Sequence, residues 1–173
     1  NGFKEEFVID AETIGIIEKY SDICDDLHTD LHECLGHGSG QLLPGVDPDA
    51  LKAYSSTIEE ARADLFGLYY IADSKLVELG LLPDDKAYQS QYYTYMMNGL
   101  MTQLIRITPG NQLEEAHMRN RALIAHWCYE KSDAIKMVKR DGKTFVEITD
   151  YPKLRALIAQ LLAEIQRIKS EGD

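Results

Sequence analysis

The sequence holds only three cysteines, Cys24, Cys34 and Cys128. So odd and sparse a set excludes a disulfide framework and points to a reducing compartment. No apolar run approaches the ~18 residues needed to span a bilayer, so no membrane partner is expected, and no signal-peptide pattern opens the chain. Basic charge is scarce as well. The formal net charge is -11, and the nearest approach to a basic cluster, Lys136, Lys139, Arg140 and Lys143, falls in a segment that reads as a solvated hairpin. A phosphate backbone must be met by clustered Lys and Arg, so nucleic acid is excluded as a partner. Internal repeats and low-complexity tracts are also missing.

What is present is ordinary for a globular protein: 45% hydrophobic and 27% charged residues, in a chain long enough for one well-buried core. A single domain over residues 1–173 is expected. The chain opens on Asn1 and Gly2 without methionine and stops in a helix-like run from Ile165, so a piece cut from a longer protein at both ends is also expected.

Helical periodicity dominates. Asp10 is placed to cap a helix over Ala11–Tyr20, and a second helix is expected from about Ser21 to Gly36. Gly36 to Gly40 and Leu43 to Pro48 mark a loop, with Asp47 and Pro48 as a helix start. A helix from about Thr57 to Leu79 is ended by Gly80 and Pro83; Asp84 opens an aromatic-rich one through Ile107, which Pro109 and Gly110 terminate. Asn111 is placed to cap another, to about Lys131. The period then changes: Ile135–Lys139 and Thr144–Ile148 flank Asp141 and Gly142, a hairpin signal, before a last helix over about Pro152–Lys169. The fold class read from this pattern is mainly α with one small β-hairpin. Tyr88, Tyr92, Tyr93 and Tyr95 read as core residues with polar tips, although such a run is also able to line a peptide cleft.

The stretch that carries chemistry is His32-Glu33-Cys34-Leu35-Gly36-His37. Zinc takes imidazole nitrogens and carboxylate oxygens, and catalytic sites keep three protein ligands and one open position. In the common helical version two His stand four residues apart with a Glu general base beside the first. Here they stand five apart, which on a regular helix separates the side chains by about 140°. A π-bulge or tightened turn absorbs one residue, and Gly36 makes such a distortion easy just before His37. The third ligand is expected from Glu59-Glu60-Ala61-Arg62-Ala63-Asp64: Glu60 on the metal, and Asp64, one turn on, against the outer nitrogen of a ligating His. His28 and His32 form a competing pair at ordinary helix spacing, but no Glu follows His28 to act as base. Glu33 is then placed to take a proton from the attacking water and pass it to the leaving amine. His117 is a candidate donor to the carbonyl oxygen, and Arg121, one turn further, a candidate substrate or structural contact.

These motifs resemble the dipeptidyl peptidase III family, zinc peptidases with HExxGH and EExxA(D/E) motifs, matched here by residues 32–37 and 59–64. The lengthened first motif is rare, so the pairing is specific, and the run from Ala116 to Arg121 adds to it; the likeness spans roughly Leu27–Arg121. The resemblance implies the catalytic, mostly helical lobe of a longer two-lobed cytosolic exopeptidase, which removes dipeptides from the amino terminus of short oligopeptides. It implies one zinc ion per chain on His32, His37 and Glu60, with Glu33 as general base. Glu59 and Asp64 would then stand behind the ligands, and His117 would steady the transition state. It further implies that the missing lobe of the same enzyme completes the cleft. Cys34, inside the motif, is a site where oxidation would be felt. Two other readings stay open: a non-catalytic zinc-holding or scaffold module, and a related zinc endopeptidase.

Overall fold

A computed structural model of the chain describes residues 8, 10–33, 55–101 and 112–171. Among these residues the elements run α1 (Ala11–Leu31), α2 (Ser55–Ile71), α3 (Lys75–Glu78), α4 (Tyr88–Met101), α5 (Gln112–Lys131), β1 (Ile135–Arg140), β2 (Lys143–Ile148) and α6 (Tyr151–Glu171). The mainly helical class with one hairpin is as the periodicity predicts. None of the described helices is long and apolar enough to cross a membrane. His37, Cys34, the 36–48 loop, Pro109, Gly110 and Asn111 lie outside the described residues.

Asp10 does cap α1, its carboxylate accepting from Thr13 N at 2.7 Å. The expected break at Ser21 is absent, and α1 runs on. Ile17, Tyr20, Cys24, His28 and Leu31 make one buried stripe across that point, and a continuous apolar face outweighs the weak capping preference of a single serine. The opposite happens in α2, which stops at Ile71 rather than near Leu79. At the break Asp73 accepts from Lys75 N at 2.9 Å, a local turn contact that precedes a separate short helix, α3. Asp84 likewise accepts from Lys86 N, and α4 begins later than expected, at Tyr88.

Helix α1 packs on α2 and α4, α5 lies along α4, and α6 crosses α2. The core between them holds Ile17, Leu65, Leu68, Tyr92, Met96, Ile124 and Ile158. Tyr92, Tyr93 and Tyr95 of α4 are core residues whose hydroxyls reach across to neighbours, while Tyr88 is half-buried: Tyr92 donates to Leu68 O at 2.7 Å, and Tyr93 donates to Val146 O in the hairpin. The hairpin pairs Ile135 with Ile148 through Arg140 with Lys143. Its turn residues, Asp141 and Gly142, both have positive φ, as a two-residue loop matched to strand twist requires.

The C-terminal end of α2 is closed by α6. Arg155 donates to Tyr69 O from both Nε (3.1 Å) and Nη2 (2.9 Å), and its guanidinium lies 4.2 Å from the Tyr69 ring. A helix's last carbonyls lack partners within the helix, and a cation there also meets the negative end of the dipole. Arg155→Ala is therefore expected to lower stability by ~2 kcal/mol, read as a shift in urea midpoint at unchanged slope.

Candidate active site

Four helices converge on a cleft of about 380 Å³ whose wall includes His32, Glu33, Asp64, Tyr95, His117 and Arg121. The helices meet closely because small residues stand at their crossings. A Cβ on Gly67 of α2 would fall 2.2 Å from His28 Cδ2 on α1, and one on Gly99 of α4 would fall 2.6 Å from Arg121 O on α5. Helix α1 changes character as it reaches the cleft: His32 and Glu33 adopt π-helical winding, and the His32 amide is shared between His28 O and Thr29 O. The motif asks for an irregularity of this kind, and its remaining residues, 34–37, lie outside the described ones.

The His32 ring is held on both sides. Its Nδ1 lies 2.8 Å from Asp64 Oδ1 and its Nε2 3.2 Å from Glu60 Oε2. Asp64 also accepts from the Tyr95 hydroxyl, at 2.9 Å through Oδ2. Burial pushes the Asp64 carboxyl up, but the His32 bond and the nearby imidazoles outweigh it and hold it below its ordinary value. An ionised carboxylate only accepts, so the proton facing Asp64 belongs to Nδ1. Nε2 is left with its lone pair towards a second carboxylate. Two acceptors at that distance repel unless a cation, a proton or a metal, lies between them. The Asp64 bond, opposed by burial, raises His32 above the usual imidazole range.

The competing ligand pair is resolved by the neighbours of His28. Its Nε2 lies 3.2 Å from the main-chain oxygen of Asp64, and its Nδ1 lies 2.8 Å from Gln91 Nε2. A carbonyl can only accept, so the His28 proton sits on Nε2, and Nδ1 accepts from the Gln91 amide. Both ring nitrogens are thereby used, and burial lowers the ring's pKa and keeps it neutral. His28 is a satisfied core histidine.

The remaining candidates fall as follows. Glu33 is 66% exposed and approaches within 4.0 Å of His32 Nε2. Glu59 accepts from Arg62 through both oxygens, at 2.7 and 3.2 Å, and Arg62 is fully buried. His117 stands across the cleft with Nδ1 3.7 Å from Glu60 Oε2. Arg121 lies over the Tyr95 ring, 5.7 Å from its centre. Among the described residues no three of His, Cys, Asp and Glu gather as a metal-binding group; the expected partner of His32 and Glu60, His37, lies outside them. Sequence reasoning missed Gln91. Its one local signal was its place one turn before Tyr95 on α4.

A sequence model described as peptidase family M49 matches residues 48–173, most of the chain, including Glu60, Asp64, His117 and Arg121. The chain belongs to peptidase family M49. This bears out the family read from the two motifs, and M49 is a family of metallopeptidases, for which a metal cofactor is implied. The fold agrees. The structure of DPP III from Caldithrix abyssi matches with a TM-score of 0.72 at 22% identity, and dipeptidyl-peptidase III from Corallococcus sp. strain EGB with 0.71 at 24%. Each match covers 99% of this M49 chain, which spans only 30% of the other protein.

Proposed function

We propose that this M49 chain is the zinc-binding, mostly helical catalytic lobe of a longer two-lobed exopeptidase, which releases dipeptides from the amino terminus of short oligopeptides. His32, His37 and Glu60 would hold one zinc ion. The observation that carries the reading is the His32–Glu60 pair. An imidazole nitrogen and a carboxylate oxygen, both donor types that zinc accepts, stand 3.2 Å apart, near enough that both would reach one ion. Asp64 supports the same reading, because its bond to Nδ1 leaves the Nε2 lone pair available to a metal.

Bound zinc supplies Lewis-acid polarisation of the scissile carbonyl and makes water a nucleophile near neutral pH. Glu33, exposed in the cleft beside His32, takes the proton of the attacking water and delivers it to the leaving amine. His117, on the opposite wall, donates to the carbonyl oxygen as negative charge develops there. Asp64 orients His32, Glu59 stands behind the ligands, and Arg121 contacts the substrate or the site's frame. The 30% share of the matched structures supports a second lobe of the same enzyme as the partner that completes the cleft. A cytosolic setting is supported by the sparse cysteines, of which Cys24 and Cys128 are free and buried.

The test is elemental analysis of chelator-free protein beside Glu60→Ala and His37→Ala. About one zinc per chain, lost in both variants, is the expected result. No zinc after reconstitution, in a chain shown to be folded, would remove the metal site. Peptides with free and blocked amino termini, given to the full-length protein, separate an exopeptidase from an endopeptidase. Zinc binding with cleavage of neither leaves a scaffold module.

A further inference from the structure

Among the described residues Asp64 makes three links beyond its own helix, and one of them is to His32. The Tyr95 hydroxyl donates to Oδ2 from a residue that is only 5% exposed. The His28 ring donates to the Asp64 main-chain oxygen and is itself held by Gln91 from α4. The carboxylate and the backbone of one residue are thus gripped from the same helix, α4, by Tyr95 directly and by Gln91 through His28. Burial keeps the Tyr95 phenol protonated well beyond neutrality, so it remains a donor. Tyr92, one turn earlier, sends its own to the plain helix carbonyl of Leu68.

We propose that Tyr95, with the Gln91–His28 pair behind it, is a positioning residue for the metal site. By holding Asp64 Oδ2 it keeps Oδ1 on His32 Nδ1, and so keeps Nε2 aimed at the ion. The inference rests on the zinc reading above and deepens it. A carboxylate with one oxygen free rotates about its terminal torsion, so loss of the hydroxyl loosens the imidazole without opening a cavity.

The experiment is zinc affinity of the full-length protein, by competition with a chromophoric chelator, for the wild type, Tyr95→Phe, Tyr92→Phe, Asp64→Asn and the Tyr95→Phe/Asp64→Asn double variant. Tyr95→Phe is expected to bind zinc about tenfold more weakly, towards the low end of what outer partners of metal ligands contribute. In the Asp64→Asn background the same change is expected to add less than about twofold, because the group it holds is already altered. Tyr92→Phe also removes a buried hydroxyl from α4; it is expected to lower the melting temperature and leave zinc affinity unchanged. Tyr95→Phe with wild-type affinity would overturn the proposal. So would a loss that Tyr92→Phe reproduces, or one fully additive with Asp64→Asn. A folded wild type without zinc affinity would overturn the metal reading itself, and this inference with it.

Discussion

Glu33→Gln is expected to lower kcat of the full-length enzyme on a free-amino-terminus peptide by ~10³-fold, about 4 kcal/mol of barrier, with zinc content unchanged. The substitution keeps the size of the side chain and removes its ability to accept a proton. Glu33 lies at the open end of α1, 66% exposed, so exchanging it disturbs no core packing. It is also not the partner of His32 Nδ1, which is Asp64, so the imidazole keeps its tautomer. Steady-state kinetics with elemental analysis on the same sample separates the two effects. A variant retaining more than about a tenth of the activity would remove Glu33 as the general base, since a positioned base contributes ~10²-fold or more.

Gly67→Ala is expected to be strongly damaging, lowering stability by ~3 kcal/mol and weakening metal binding with it. The new methyl carbon would sit 2.2 Å from His28 Cδ2 and 2.6 Å from its Nε2. The ring has nowhere to swing, since its two nitrogens are bonded to Asp64 O and Gln91. Helix α1 must therefore move off α2, and that interface also sets the His32–Asp64 and His32–Glu60 distances. Gly15→Ala provides the contrast within α1. Among the described residues nothing lies within 4 Å of a Cβ there, and alanine in an exposed helical position is expected to gain ~0.5–1 kcal/mol. Urea melts of the two variants check both signs; a Gly67→Ala protein as stable as the wild type would show that α1 and α2 yield freely.

Much of the architecture was legible from local pattern. The hairpin turned where Asp141 and Gly142 indicated, and Asp10 capped α1, because turn and cap chemistry involve neighbours in sequence. The helix boundaries that differed did so for tertiary or side-chain reasons. The stripe from Ile17 to Leu31 carried α1 past Ser21, while α2 gave way after Ile71 to a turn in which the Asp73 carboxylate accepts from Lys75 N. Tyr92, Tyr93 and Tyr95 read correctly as core with polar tips, with Tyr88 half-buried, yet periodicity had no means of telling Tyr95 from Tyr92. Their hydroxyls differ only in what stands opposite on α2, a carboxylate in one case and a main-chain oxygen in the other.

The sequence by itself determined the family and the chemical types at the cleft. A His-Glu pair, a second acidic pair and their spacing are covalent facts, and the 48–173 match bears out the family they announce. Only the tertiary structure showed what each of His28 and His32 faces. The two stand one turn apart on the same face of α1, and the sequence separates them only by the Glu that follows His32 and not His28. What separates them comes from residues distant in the chain: Gln91 and a main-chain oxygen satisfy one ring, and two carboxylates of α2 claim the other. An imidazole's role is set by the groups facing its two nitrogens, and those groups meet it only when the helices pack.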